Sequence, residues 1–162
     1  MFDTKKIGQR IASLRKASDM TQMDLADKML VSYQAISNWE RGNSMPDISK
    51  LPELAKIFGV TIEQLLGDES NARIVSKVIE KEEDVPMEEV AKVIPIMKPS
   101  QVEEALERAP ALSGISRETL LHIAPYMDED KLYERIKALK LTDLHDLVAF
   151  APFMDSEHIK DL

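Results

Sequence analysis

Gln34 and Asn38 stand four residues apart in the segment SYQAISNWERG, and each ends in a carboxamide that offers an acceptor oxygen and two donor hydrogens. On a helix that separation places them one above the other on the same face. Amides so placed can form paired hydrogen bonds with the edge of adenine in a major groove, or single bonds elsewhere. Tyr33 and Ser37 share the face, Tyr33 being suited to packing on a sugar or a thymine methyl. The plain alternative is a polar surface turned to water, and for these four side chains taken alone it is the simpler reading.

What decides between the two is how the chain around them is built. Thr21 to Gly42 spells two short helices joined by a tight turn. Thr21 suits an N-cap, with Asp24 three residues on as an acidic first turn, and Leu25, Ala26 and Met29 make an inner face. Ser32 opens the second helix. Its apolar residues Ala35, Ile36 and Trp39 recur at helical spacing, which leaves Tyr33, Gln34, Ser37 and Asn38 outside, and Gly42 ends it.

Ile7 to Gly67 resembles the helix-turn-helix domain of the phage-repressor (Cro/cI-like, XRE) family. The resemblance rests on an ordered set: IGQRIASLRKAS, TQMDLADKM, SYQAISNWERG, MPDISKLPELAKIFGV and TIEQLLG. It implies an all-α domain of five short helices whose second and third helices read DNA, with Tyr33, Gln34, Ser37 and Asn38 at base-reading positions. Gln22 matches a family position that bonds backbone phosphate at a helix N-terminus. Ser32, Arg41, Asn43 and Lys50 are further phosphate candidates around the turn and the helix ends, with capping or solvation as the bland reading of each. Arg15 and Glu40 match a structural ion pair of related domains. Trp39 reads as core, as do Ile7, Ile11, Leu14, Leu25, Ala26, Leu51, Leu54, Ile57, Phe58, Val60 and Leu65. Leu30 departs from the pattern, standing in the turn where the family often has Gly, and a branched side chain is costly there if the backbone needs positive φ.

The 162 residues carry a net charge of −8, and the acid is unevenly placed. Residues 1–67 hold nine Lys and Arg against eight Asp and Glu, whereas residues 68–162 hold 12 against 21. A near-neutral head can bind DNA if its few cations meet phosphates, and the acidic half should weaken non-specific binding. Without cysteine no disulfide or thiolate metal site is possible. His122, His145 and His158 lack ligand spacing, so no metal or other cofactor is expected. Glu80, Glu82, Glu83, Asp84, Glu88 and Glu89 read as solvated helix faces rather than a catalytic cluster. No phosphate loop or nucleophile motif occurs, and an enzyme is not expected. Neither a continuous apolar leader nor a membrane-length apolar run is present, which leads to the expectation of a cytoplasmic protein.

The polar break Gly67-Asp68-Glu69-Ser70-Asn71 suggests a boundary. We expect a DNA-binding domain at 1–67, a connector helix at 68–85 carrying Ile74, Val75, Val78 and Ile79, and an α-helical repeat domain at 86–162. Within the last, VIPIMKPSQVEEAL, IAPYMDEDKLYERI and FAPFMDSEHIKDL align on Pro95, Pro125 and Pro152, spaced by 30 and 27 residues. Each unit reads as a helical hairpin, because proline ends one helix and aims the chain at the next. Stacked hairpins would form a small solenoid with Met97, Met127 and Met154 at equivalent buried places. The expected function is a sequence-specific regulator of transcription, simplest as a repressor, bound to double-stranded DNA as a homodimer. The acidic repeats would serve pairing, a protein or peptide partner, or signal sensing. The rival readings are a protein-interaction adaptor or an antitoxin-like protein with weak DNA binding.

Overall fold

The computed structural model describes residues 2–82, 85–108, 115–141 and 143–161, so Glu83 and Asp84 of the acidic run lie outside the described residues. Those residues form α-helices and short 3₁₀ turns with no strand among them, in the all-α class expected. They divide into two compact units, one holding the residues up to Glu82 together with Pro95–Met97, the other holding the rest.

The first unit contains α1 (Thr4–Ala17), α2 (Gln22–Met29), α3 (Tyr33–Arg41), α4 (Leu51–Phe58), α5 (Ile62–Leu66) and α6 (Glu69–Ile79). Side chains that satisfy otherwise orphaned amides set several of these starts. Thr21 and Asp24 form a reciprocal capping box on α2, the Thr21 hydroxyl accepting from the Asp24 amide at 3.1 Å and the Asp24 carboxylate from the Thr21 amide at 2.7 Å. Ser32 caps α3 by accepting from the Ala35 amide at 3.1 Å, and Thr61 with Gln64 repeats the capping box on α5. The helix ends follow the same economy. Gly42 ends α3 in the left-handed region at φ 73°, and the next amide, Asn43, closes the turn on the Asn38 carbonyl at 2.9 Å.

The core of this unit is Ile7, Ile11, Leu25, Ala26, Met29, Ile36, Trp39, Ile48, Leu51, Leu54 and Leu65, all buried. Leu14, Ile57, Phe58 and Val60, expected inside, are half-buried: Ile7 and Ile11 are the buried apolar residues of α1 and Leu51, Leu54 and Ala55 those of α4, while Val60 lies in the link between α4 and α5. Helix α1 packs mainly on α3. The contact is so close that a Cβ added to Gly8 would lie 2.2 Å from the Trp39 carbonyl oxygen and 2.8 Å from that of Glu40. Only a residue without a side chain fits there. Helix α6 packs on α5 and buries Ala72, Ile74 and Val75 within this unit, leaving Val78 and Ile79 half-buried.

The second unit contains α7 (Met87–Val93), α8 (Pro99–Arg108), α9 (Arg117–Ile123), α10 (Glu129–Leu139), α11 (Leu144–Val148) and α12 (Ser156–Asp161). They fall into pairs joined by 3₁₀ turns at Ile94–Ile96, Ala124–Tyr126 and Ala151–Phe153, each with its proline in the middle. Proline denies the next turn its amide donor and crowds the carbonyl four residues back, so the α-helix tightens and stops. Asp128 and Asp155 then restart the chain by accepting from the amides of the following turn. In the first pair the Gln101 side chain accepts from the Lys98 amide at 2.7 Å instead. The methionine expectation is corrected in part. Met154 is buried, but Met97 and Met127 are half-buried; Met127 and Met154 share the extended conformation after the turn, and Met127 is the one that lines an open groove beside α8.

Polar contacts join neighbouring pairs. Glu88 of α7 accepts from the Ser116 amide at 2.9 Å and from the Thr119 hydroxyl, so a carboxylate from one helix caps the next. These bonds, the Thr119 hydroxyl first, hold its carboxyl below the usual carboxylate range. Arg117 Nε of α9 lies 2.9 Å from Asp146 Oδ1 of α11. Glu88 thus has a joining role that its place in an acidic run conceals.

Candidate nucleic-acid interface

Helix α3 is amphipathic in the way its sequence requires. Ile36 and Trp39 are buried against the domain, while Gln34 is exposed and Tyr33 retains 49% of its surface. Ser37 and Asn38 are half-buried on the same outer side. The four residues expected to read bases therefore stand on one accessible face. Asn38 is already engaged there: Arg41 Nη2 donates to its Oδ1 at 3.0 Å, and Arg41 Nε donates to the Ser37 carbonyl at 3.2 Å.

The phosphate candidates differ in what occupies them. Asn43 and Ser32 are exposed, with the Ser32 hydroxyl serving as the cap of α3. Arg41 is exposed but folded back onto Asn38. Lys50 is turned inward, its ammonium donating to the Met29 carbonyl and to Glu53 Oε2, each at 3.0 Å, so that it satisfies the C-terminal end of α2. Gln22 donates its side-chain amide to Glu40 Oε2 at 2.7 Å, so that amide is engaged with the buried carboxylate.

Glu40 is the hub beneath this surface. Arg15 Nε donates to Glu40 Oε1 at 2.5 Å and Nη2 to Oε2 at 3.1 Å, while Nη1 donates to the Met20 carbonyl at 2.7 Å. The side chains retain only 11% and 7% of their surfaces. A fork of this kind is geometrically specific, and the hydrogen bond to Glu40 raises the already high pKa of Arg15 further. The pair ties α1 to the end of α3. The pairing of Arg15 with Glu40 is the one expected, whereas the bond from Gln22 to the same buried carboxylate carries no periodic signal in the sequence.

The turn before α3 is strained. Leu30 adopts φ 51° and ψ 46° and leaves 85% of its surface exposed, so a branched side chain occupies a backbone state that favours glycine and gains no burial in return.

In the second unit His158 lies 3.2 Å from Asp130 and 3.0 Å from Asp155, and Glu129, Asp155 and His158 bring ligand atoms within 4.8 Å of one another. The histidine spacing in the sequence gave no sign of this, because the carboxylates come from another helix and from the cap of its own. No helix among the described residues is long and apolar enough to cross a membrane.

Comparison with known proteins bears on the first unit. Residues 11–65 match the family HTH_3, Helix-turn-helix. The HTH-type transcriptional activator BcrR of Enterococcus faecalis is 38% identical over 64 residues, which are 40% of this chain and 31% of that protein. The immunity repressor of Bacillus phage phi105 is 33% identical over 64 residues, 40% of this chain and 44% of the repressor. The cryptic phage CTXphi transcriptional repressor RstR of Vibrio cholerae is 32% identical over 62 residues, 38% of this chain and 55% of that protein. The chain thus spans between about a third and about a half of the length of these relatives. The match begins in α1 and ends in α5, enclosing the capped α2, the turn at Leu30 and the outward face of α3. The N-terminal domain of this chain is a helix-turn-helix domain of the phage-repressor (XRE) type.

Proposed function

We propose that the protein is a sequence-specific DNA-binding regulator of transcription, acting as a repressor by occupying its operator. The observation that carries this reading is the division of α3, with Ile36 and Trp39 sealed inside and Tyr33 and Gln34 presented outward beside Ser37 and Asn38. In this reading α3 enters the major groove and Gln34 and Asn38 bond base edges. On the duplex Arg41 exchanges its bond to Asn38 for a phosphate, which releases both ends of the Asn38 amide for a base. Ser32, Asn43 and the amino end of α2 at Gln22 add backbone contacts that set register.

One such head buries roughly 600 to 1,000 Å² against DNA, so useful specificity calls for two heads about one helical turn apart. The protein acts as a homodimer in this reading. Burial of Ile74 and Val75 within the first unit favours a pairing surface other than their face of α6.

Selection of bound duplexes from a random pool tests the proposal, followed by fluorescence anisotropy on the recovered sequence. The expected result is a palindrome with half-sites about 34 Å apart centre to centre. Gln34→Ala with Asn38→Ala should lose discrimination against random duplex while keeping the fold. Equal affinity of wild type and double variant for all duplexes, at low salt, would overturn it in favour of the adaptor reading.

A further inference from the structure

The repeats of the second unit share a backbone but fill one equivalent space in two ways. Between α10 and α12, Tyr133 fills it. Its ring centroid lies 4.6 Å from that of His158, Lys137 Nζ sits 4.3 Å over the same ring, and the Tyr133 hydroxyl and Lys137 Nζ both donate to Asp161. One repeat earlier, 30 residues back, the positions of Tyr133 and Lys137 are held by Glu103 and Glu107, and 27 residues before His158 stands Lys131. There the space is an open groove of about 520 Å³ between α8 and the start of α10. Leu106, Tyr126 and Met127, all half-buried, provide an apolar floor, and the exposed Glu103, Glu107 and Asp128 form an acidic rim against the one cation Lys131.

From this we infer that the groove is a binding site for a short peptide segment of a partner, one that carries an aromatic side chain and a Lys or Arg. The chain itself displays the complement in the next repeat, an aromatic ring seated between helices with a cation beside it paired to carboxylate. In the groove the carboxylates of Glu103 and Glu107 stand where Tyr133 and Lys137 stand in the filled repeat, so the occupant supplies the counterparts of that ring and that cation. Apolar area sets the depth of seating, while the acidic rim selects the sign of charge. The inference stands whether or not α3 reads DNA.

Fluorescence anisotropy on the full chain tests it with three short, end-capped, fluorescein-labelled peptides in a serine background. One carries Phe and Arg, one has Glu in place of Arg, and one has Ser in place of Phe. The first should bind saturably, and either replacement should weaken binding by about tenfold or more. Glu103→Tyr with Glu107→Lys, which copies the filled repeat, should abolish binding with an unchanged circular dichroism spectrum. Glu103→Gln with Glu107→Gln, in case the first variant does not fold, should cost about tenfold and flatten the salt dependence. Equal binding of the three peptides, binding unaffected by the variants, or no binding of the first peptide would each overturn the inference. So would benzylammonium binding as tightly as the peptide, or self-association of the chain that the same substitutions abolish.

Discussion

Arg15 on α1 and Glu40 near the end of α3 meet through two hydrogen bonds in a place where neither side chain keeps more than about a tenth of its surface. The carboxylate therefore has no water to fall back on, and neither has the guanidinium. Glu40→Gln should destabilise the first unit by about 3 kcal/mol, because it strands a buried charge. Arg15→Met with Glu40→Leu should recover part of that loss, since two apolar side chains remove both buried charges but leave the Met20 carbonyl and the Gln22 amide without these partners. Urea unfolding of the two variants checks this; a double variant no more stable than Glu40→Gln would show that geometry, rather than the stranded charge, sets the cost.

Gly8→Ala should cost about 1 to 3 kcal/mol, at the upper end, because its methyl group would have to displace the backbone carbonyls of Trp39 and Glu40. A surface substitution such as Gln9→Ala, one residue on, serves as the control and should be nearly neutral. Thermal unfolding of the two variants reads the difference, and a neutral Gly8→Ala would mean that α1 and α3 separate more easily than the close contact implies.

Leu30→Gly should stabilise the protein by about 1 kcal/mol, since the residue is mostly exposed and its left-handed conformation penalises a Cβ. Leu30→Ala keeps the Cβ and should gain nothing comparable. Differential scanning calorimetry distinguishes them; equal stabilisation by both would trace the effect to lost apolar exposure and not to backbone.

Glu88 should make the second unit sensitive to acid. Its carboxyl ionises more readily in the fold than in the unfolded chain, so its contribution is fully present above the unfolded value of about 4.3 and is lost as pH falls through the depressed folded value. Glu88→Gln should therefore flatten part of the stability decline on acidification without reversing it, since Asp155 and Asp161 are depressed as well. A pH series of melting curves with an unchanged slope in the variant would remove Glu88 from this role.

Much of this architecture can be read from the amino acids because it is local. Thr21, Asp24 and Ser32 announce helix starts through bonds spanning three residues, and Pro125 and Pro152 announce helix ends by taking away a donor. The inner face of α3 follows from the spacing of Ile36 and Trp39. What stays hidden depends on partners far along the chain. Glu88 looks like one acid among many until Ser116 and Thr119 come within reach, and Lys50 looks like a free cation until the Met29 carbonyl turns toward it. The methionines of the repeats are equivalent in sequence yet not in burial, because neighbouring pairs differ in what fills the space between them.

Backbone seated on backbone at Gly8 and the forked bonds of Arg15 both fasten α1 to the same C-terminal turn of α3, at Trp39 and Glu40, so that end of the helix is held to the domain. A duplex of imperfect shape would have to be met by the domain moving as a block, by the DNA bending, or by swivelling of the Arg41 and Asn38 side chains. Tolerance toward variant operators would then be limited by the stiffness of the nucleic acid, and base changes that ease bending would matter even where no side chain reaches.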